Sequence, residues 1–156
     1  MTFSGGHDTD PRDGGRLVVL IAAALGVTAA VFREAFSRMR PACGGSELSA
    51  SRVRANKTVL LAALAAHGVT NERLDTVSDY YRYAPGQNSL WTNRPAVASA
   101  LVQDGAIIGY KLLHSGSGYT TPPVASVPGF PHAHPTVSLL FGTNLAASGS
   151  ILSISG

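Results

Sequence analysis

LVVLIAAALGVTAAVFREAF, residues 17–36, carries no charge before Arg33 and interrupts its apolar run at Gly26-Val27-Thr28. A second stretch, VLLAALAAHGVTNERLDTVS at residues 59–78, superposes on it at a spacing of 42, with Gly68-Val69-Thr70 in the same place. Each reads as helix, glycine stop, helix. A glycine just past a helix end adopts the left-handed conformation that terminates it, and a threonine oxygen accepts one of the free amides that open the next helix. Thr28 and Thr70, or Asn71, are the caps this predicts, so the N-terminal half is expected to form two helical hairpins.

The uncharged run Leu17 to Phe32 is sixteen residues long. As a helix it spans about 24 Å, short of the roughly 30 Å hydrocarbon core of a bilayer. Asp8, Asp10 and Asp13 precede it beside Arg12 and Arg16, whereas Arg33, Arg38 and Arg40 follow it. A buried hairpin is the preferred reading, and a membrane-associated accessory subunit anchored by 17–32 is the first alternative. The opening MTFSGGHDTDPRDGG holds more acid than base, so no secretory signal is read there. Cys43 lacks the apolar residue that a lipoprotein attachment site wants three positions upstream. As the single cysteine, it also rules out an intramolecular disulfide and a cysteine-rich zinc site.

Between the hairpins Pro41 to Ser46 reads as a loop, after which Ser49 or Ser51 caps a helix running to about Ala66. Val53, Leu60, Leu61 and Leu64 are expected in its core face, with Arg52, Arg54 and Lys57 toward solvent. Ala22, Gly26 and Phe32 also have the spacing of a DNA-binding helix-turn-helix, with Arg33, Arg38 and Arg40 on the second helix, which makes a DNA-binding protein the second alternative. Eight of the twelve bases fall between Arg33 and Arg82, but Glu34, Glu47, Glu72, Asp75 and Asp79 lie among them. No continuous phosphate-tracking stripe results, and nucleic acid is not the expected partner.

Composition changes after Tyr83. Ala84-Pro85-Gly86-Gln87-Asn88 is turn-rich, and beyond Asp104 the only Asp, Glu, Lys or Arg is Lys111. The boundary is drawn there: 1–83 a helical region, 84–156 a β-rich domain. Ala96 to Val102 and Ala106 to Leu113 flank Asp104-Gly105, the dipeptide suited to the positive backbone angles of a two-residue hairpin turn. Val124 to Val127, Thr136 to Phe141 and Ser150 to Ile154 are further short β-branched or apolar runs bounded by turn residues. The fold class is therefore α+β, N-terminal helical hairpins followed by a small antiparallel β-sheet. Gly105-Ala106-Ile107-Ile108 and Gly149-Ser150-Ile151-Leu152 stand 44 apart, each opening a strand. On that match the last strand either closes the first unit's sheet or leaves an edge open to strand addition.

GSGYTTPP (116–123), followed by VASVPG and later by LLFGTNLAASGSILSI, resembles a GxGYTxPP β-module of bacterial exported and surface-associated proteins. HGVTNERLDTVSDYYRY with a following Trp is similar to the helical segment preceding that module in uncharacterised bacterial proteins, so the likeness runs from Arg54 to Gly156. It implies a fold and an extracytoplasmic or cell-surface setting. It carries over no activity and no catalytic residue.

Residues that could carry chemistry are few. His132-Ala133-His134 puts two imidazoles on one side of an extended segment, and His114 could join them, but no acid lies nearby and no metal is expected. His114, Ser115 and Ser117 lack a nucleophile elbow, with Asp104 the only orienting acid in the β half. Glu72, Asp75 and Asp79 form a solvated helical stripe. No cofactor is expected. Tyr80, Tyr81, Tyr83, Trp91 and Tyr119 are the contact candidates, set against a role in packing the helices onto the sheet. The expectation is a non-enzymatic structural or protein-interaction module, a subunit of a larger, self-associating assembly.

Overall fold

The computed structural model describes residues 1–39, 49–82 and 90–156. Both predicted hairpins form. Helix α1 (Val18–Leu25) ends at Gly26, φ 75°, and α2 (Ala29–Ser37) begins under Thr28, whose hydroxyl accepts from the Val31 amide. Helix α3 (Ala50–Ala65) is capped by Ser49, Gly68 has φ 79°, and α4 (Asn71–Tyr80) is capped by Thr70 through the Arg73 amide. The repeat is thus a repeat of stop and cap chemistry, although α3 is twice as long as α1.

The apolar run of α1 lies in the helical core with Phe32, Leu60, Leu64 and Val77. Leu20 and Leu64 are fully buried, and each contributes about 1.5–3 kcal/mol by leaving water. Among the described residues no single helix is long and apolar enough to cross a membrane. The α1–α2 pair has the length and composition only jointly, across a bend of 103°. One detail of α3 differs from expectation: Val53 is 49% exposed, in a run 49–55 whose residues are all exposed. Lys57 lies toward solvent as expected, where it pairs with Asp75 of α4 at 2.6 Å. Cys43, Arg40 and the predicted loop Pro41 to Ser46 lie outside the described residues, as do Tyr83 and 84–88.

The β half holds the hairpin of β2 (Val97–Gln103) and β3 (Ala106–His114), turned at Asp104 (φ 50°) and Gly105 (φ 78°). Both central residues have positive φ, as a type I′ turn requires. Strands β4 (Val124–Ser126), β5 (Thr136–Leu140) and β6 (Ser150–Ser155) also form where predicted. The predicted sheet is divided into two-stranded antiparallel ladders: β2 with β3, β5 with β6, and β4 with a strand absent from the sequence reading, β1 (Thr2–Ser4).

The ladders stand in a ring. β4 lies beside β5, β6 beside β3, and the Met1 nitrogen donates to the Ala98 carbonyl of β2 at 3.4 Å. Inside the ring Ala96, Tyr119, Ala125, Val137 and Ile151 form a second core, with Phe3 packed against it. The first eight residues therefore belong by packing to the β half, on the far side of the boundary drawn at 83/84. The last strand pairs with β5 and lies beside β3, and the Ile151 amide donates to the carbonyl of Ser115, just past β3, at 2.8 Å.

Candidate interaction surface

The GSGYTTPP loop is the centre on which the β half converges. Gly116 and Gly118 have φ 65° and 81°, and a Cβ on either would sit 2.7–2.8 Å from the backbone of Arg94 or Thr92. Only glycine lets those chains approach. Ser117 exchanges two 3.0 Å backbone hydrogen bonds with Arg94, while Gly118 and Tyr119 donate to the Ser148 and Gly149 carbonyls. The Thr120 and Thr121 amides both donate to the Gly6 carbonyl, which ties the N-terminal segment to the same loop.

Of the aromatic group, Tyr81, Trp91 and Tyr119 take the packing role rather than that of a contact patch. Trp91 is 3% exposed and its Nε1–H donates to the Gly118 carbonyl at 2.7 Å; Tyr119 is 4% exposed and its hydroxyl accepts from the Ala96 amide at 3.0 Å. Tyr81 is buried too, and burial pushes its phenol pKa up, with the Ser148 hydroxyl pulling the other way. Tyr80, half-buried, meets the Tyr81 ring edge-on at 5.0 Å. Large rings with one polar tip are suited to such a joint, because the tip can satisfy a backbone group that the packing would otherwise strand, as those of Trp91 and Tyr119 do; the Tyr81 hydroxyl is buried without a well-formed hydrogen bond among the described residues. Tyr83 lies outside the described residues.

A residue that sequence reading passed over sits in this joint. His7 lies 5.7 Å from the Trp91 ring and 5.1 Å from Tyr119, and its Nε2 is sealed from solvent without a hydrogen-bond partner. Burial lowers its pKa below the ordinary 6.5; the Gly5 backbone and the Asp8 carboxylate partly offset this. The folded protein then binds fewer protons than the unfolded chain, so stability is complete above about pH 6.5 and falls as the pH drops through that value toward the lower folded pKa. Urea midpoints at pH 7.5 and pH 5 are expected to show this loss, and His7→Phe is expected to shrink it. An equal loss in the variant assigns it to another group.

Between residues 8–16, α1 and α2, and Thr120-Thr121 lies a cleft of about 490 Å³. Asp10, Asp13 and Arg33 in its wall are paired with one another or with Arg12, while Asp8 meets, among the described residues, only the Thr121 hydroxyl at 3.5 Å. Arg33 grips the buried Asp13 carboxylate with Nε and Nη2 at 2.7 and 2.8 Å, and Arg12 holds Asp10 at 2.6 Å. The Arg12 hydrogen bonds hold the Asp10 carboxyl well below the usual carboxylate range. Arg16 donates to the Asp13 carbonyl and lies 4.5 Å over the Phe36 ring. Planar guanidinium–carboxylate pairing of this kind fixes residues 10–13 against α2.

The outer faces of the β ribbons are different. Among the described residues, every large apolar side chain that is exposed, apart from Val53 and Val59 of α3, lies in the β half. Val97, Leu101 and Leu113 alternate outward on β2 and β3 around Lys111, while Val102 and Ile108 stand at the hairpin tip. Leu152 and Val124 are 59% and 69% exposed on β6 and β4. His132 and His134 are exposed beside β3 and β6, His114 is exposed at the end of β3, and Ser117 is buried in the loop. No group of three or more His, Cys, Asp or Glu able to hold a metal occurs among the described residues. Asp75 and Asp79 are each paired with a base, Lys57 and Arg82.

Compared with protein-family models, with curated proteins and with solved structures, the chain finds no match in any of the three.

Proposed function

We propose that this protein is a non-enzymatic structural module, a subunit that associates with copies of itself through the outer faces of its β half. The observation that carries the reading is the concentration of exposed Val, Leu and Ile on ribbons where Lys111 is the one charged side chain after Asp104. Exposed apolar surface with little charge is what soluble proteins reserve for contact, and a single lysine on the β2–β3 face offers little repulsion between copies. The setting we propose, outside the cytoplasm or at the cell surface, rests on the resemblance of GSGYTTPP alone. A helix-turn-helix role is less well supported, since Arg33 is committed to Asp13 and Arg38 to Glu34 on the helix that would enter DNA. Anchoring through 17–32 would have to draw α1 out of the core it fills.

Sedimentation velocity across a concentration series is the test. The wild type is expected to shift from monomer to a larger species, and Leu101→Glu is expected to stay monomeric throughout while its folding stability changes by less than about 0.5 kcal/mol, as for other surface changes. A wild type that remains a monomer at every concentration sinks the proposal.

A further inference from the structure

The ring uses only one end of the outer edge of β2. Across the Asp104-Gly105 turn, Gln103 and Ala106 are the hydrogen-bonded pair that closes the hairpin. Backbone direction alternates from there along an antiparallel strand. Gln103, Leu101 and Ser99 turn their amide and carbonyl groups to β3, whereas Val102, Ala100 and Ala98 turn theirs away. The two register shifts preserve this alternation on β2, because the extra residue of each, Ile108 and Leu113, lies on β3. The Met1 nitrogen donates to the Ala98 carbonyl, one of the groups so turned. At Ala100 and Val102 no hydrogen bond from outside the ladder arrives among the described residues. Residues 101–106 are exposed at every position. Neither proline nor charge, the usual guards of a strand edge, occurs between Ala96 and Gln103.

We propose that this edge pairs with the same edge of a second copy, antiparallel about a two-fold axis at Leu101, so that the two β2–β3 hairpins form one four-stranded sheet. The inference rests on the self-association reading and names its surface. The open groups are self-complementary: rotation about Leu101 sets Ala100 against the partner's Val102 and Val102 against the partner's Ala100. Each pair exchanges two hydrogen bonds, which satisfies every open donor and acceptor between 99 and 103 and closes the assembly at two copies along this edge. Leu101, 44% exposed, meets its own copy on the axis at the close, non-hydrogen-bonded position. Charge selects the same orientation. Asp104 and Lys111 are the only acid and base of the hairpin, both exposed, and neither makes an ion pair among the described residues. Lys111 stands opposite Ser99, which in turn faces the partner's Gln103, so the lysine lies roughly 10 Å from the residue that adjoins the partner's Asp104. In-register parallel pairing would instead set like charge against like.

Residue-resolved amide exchange of the wild-type protein, dilute and concentrated, is the test. Where about nine-tenths of the protein is associated, the Ala100 and Val102 amides are expected to exchange about tenfold more slowly than in dilute protein, because only the free tenth exchanges. The Ser99 and Gln103 amides are the internal control, already protected by β3 in dilute protein. Ala100→Pro removes an outward amide and leaves the β2–β3 ladder intact; it is expected to raise the dimer Kd about thirtyfold, for two hydrogen bonds lost per dimer. Asp104→Asn keeps a turn-compatible residue before Gly105 and is expected to raise Kd about threefold. An associated protein whose Ala100 and Val102 amides exchange as fast as in dilute solution overturns the edge pairing and leaves self-association standing. A strict monomer overturns both. Unchanged Kd in Asp104→Asn overturns the antiparallel register about Leu101.

Discussion

Gly149→Ala is expected to be the most damaging single substitution in the β half, lowering stability by about 4 kcal/mol or more, a magnitude reserved for core and backbone clashes. Gly149 has φ 69°, and a Cβ there would collide with the Tyr119 carbonyl oxygen and stand 2.8 Å from its nitrogen and 2.9 Å from a methyl of Leu20. The left-handed conformation alone is worth roughly 1–2 kcal/mol against alanine. The rest comes from forcing β6 away from the GSGYTTPP loop, which stretches the 3.0 Å hydrogen bond from the Tyr119 amide to the Gly149 carbonyl. Gly129→Ala is the control, since Gly129 has φ 85° with nothing within 4 Å and so meets only the conformational penalty. Thermal melts are the measurement: for a chain of this size about 4 kcal/mol corresponds to a fall of roughly 10 °C. Equal melting temperatures for the two variants contradict the close packing at Gly149.

Arg73→Met is expected to lower stability by about 1–3 kcal/mol, the range for a buried carbonyl that loses its hydrogen-bond donor, here that of Ala24. From α4 the Arg73 guanidinium reaches the Ala24 carbonyl with Nε at 3.0 Å and Nη2 at 2.6 Å, and Nη2 also donates to the Thr143 carbonyl between β5 and β6. The Ala24 carbonyl belongs to the last turn of α1, where the helix supplies no further amide and a cation also complements the helix dipole. One side chain thereby links the first hairpin, the second hairpin and the β half. Methionine keeps the apolar stem and removes the donors. Arg73→Lys is expected to recover part of the loss, because a single ammonium lacks the fork that spans both carbonyls. Urea denaturation of the three proteins ranks them, and a Met variant as stable as the wild type denies the link.

The helices and most strands were legible because their signals are local. Glycine stops at 26 and 68, caps at Thr28, Ser49 and Thr70, and the Asp104-Gly105 turn each act within a few residues, and all are found as read. Strand β1 was not legible: three residues, one of them apolar, have no period, and the partner that makes them a strand is 124 residues away at Ser126. The aromatic group was legible as a group but not as a direction, since exposure of Tyr81, Trp91 and Tyr119 depends on what the loop at 116–121 brings against them. Division of the sheet into separate two-stranded ladders is likewise set by how distant strands pack, which no run of residues in either strand encodes. His7 gave no signal at all beside Gly5, Gly6 and Asp8.

The pairing of β1 with β4 also sets an order of events during synthesis. Thr2 leaves the ribosome well before Ser126 and cannot find it until the chain between them has been made, an interval of roughly 6–25 s at ordinary elongation rates. Through that time the helical hairpins, whose contacts are close in sequence, have already formed, while Phe3 and the edge that will become the ring wait unpaired. Closure of the β half is therefore a late, non-local step, and it is the stage at which a nascent chain is most exposed to pairing with its neighbour.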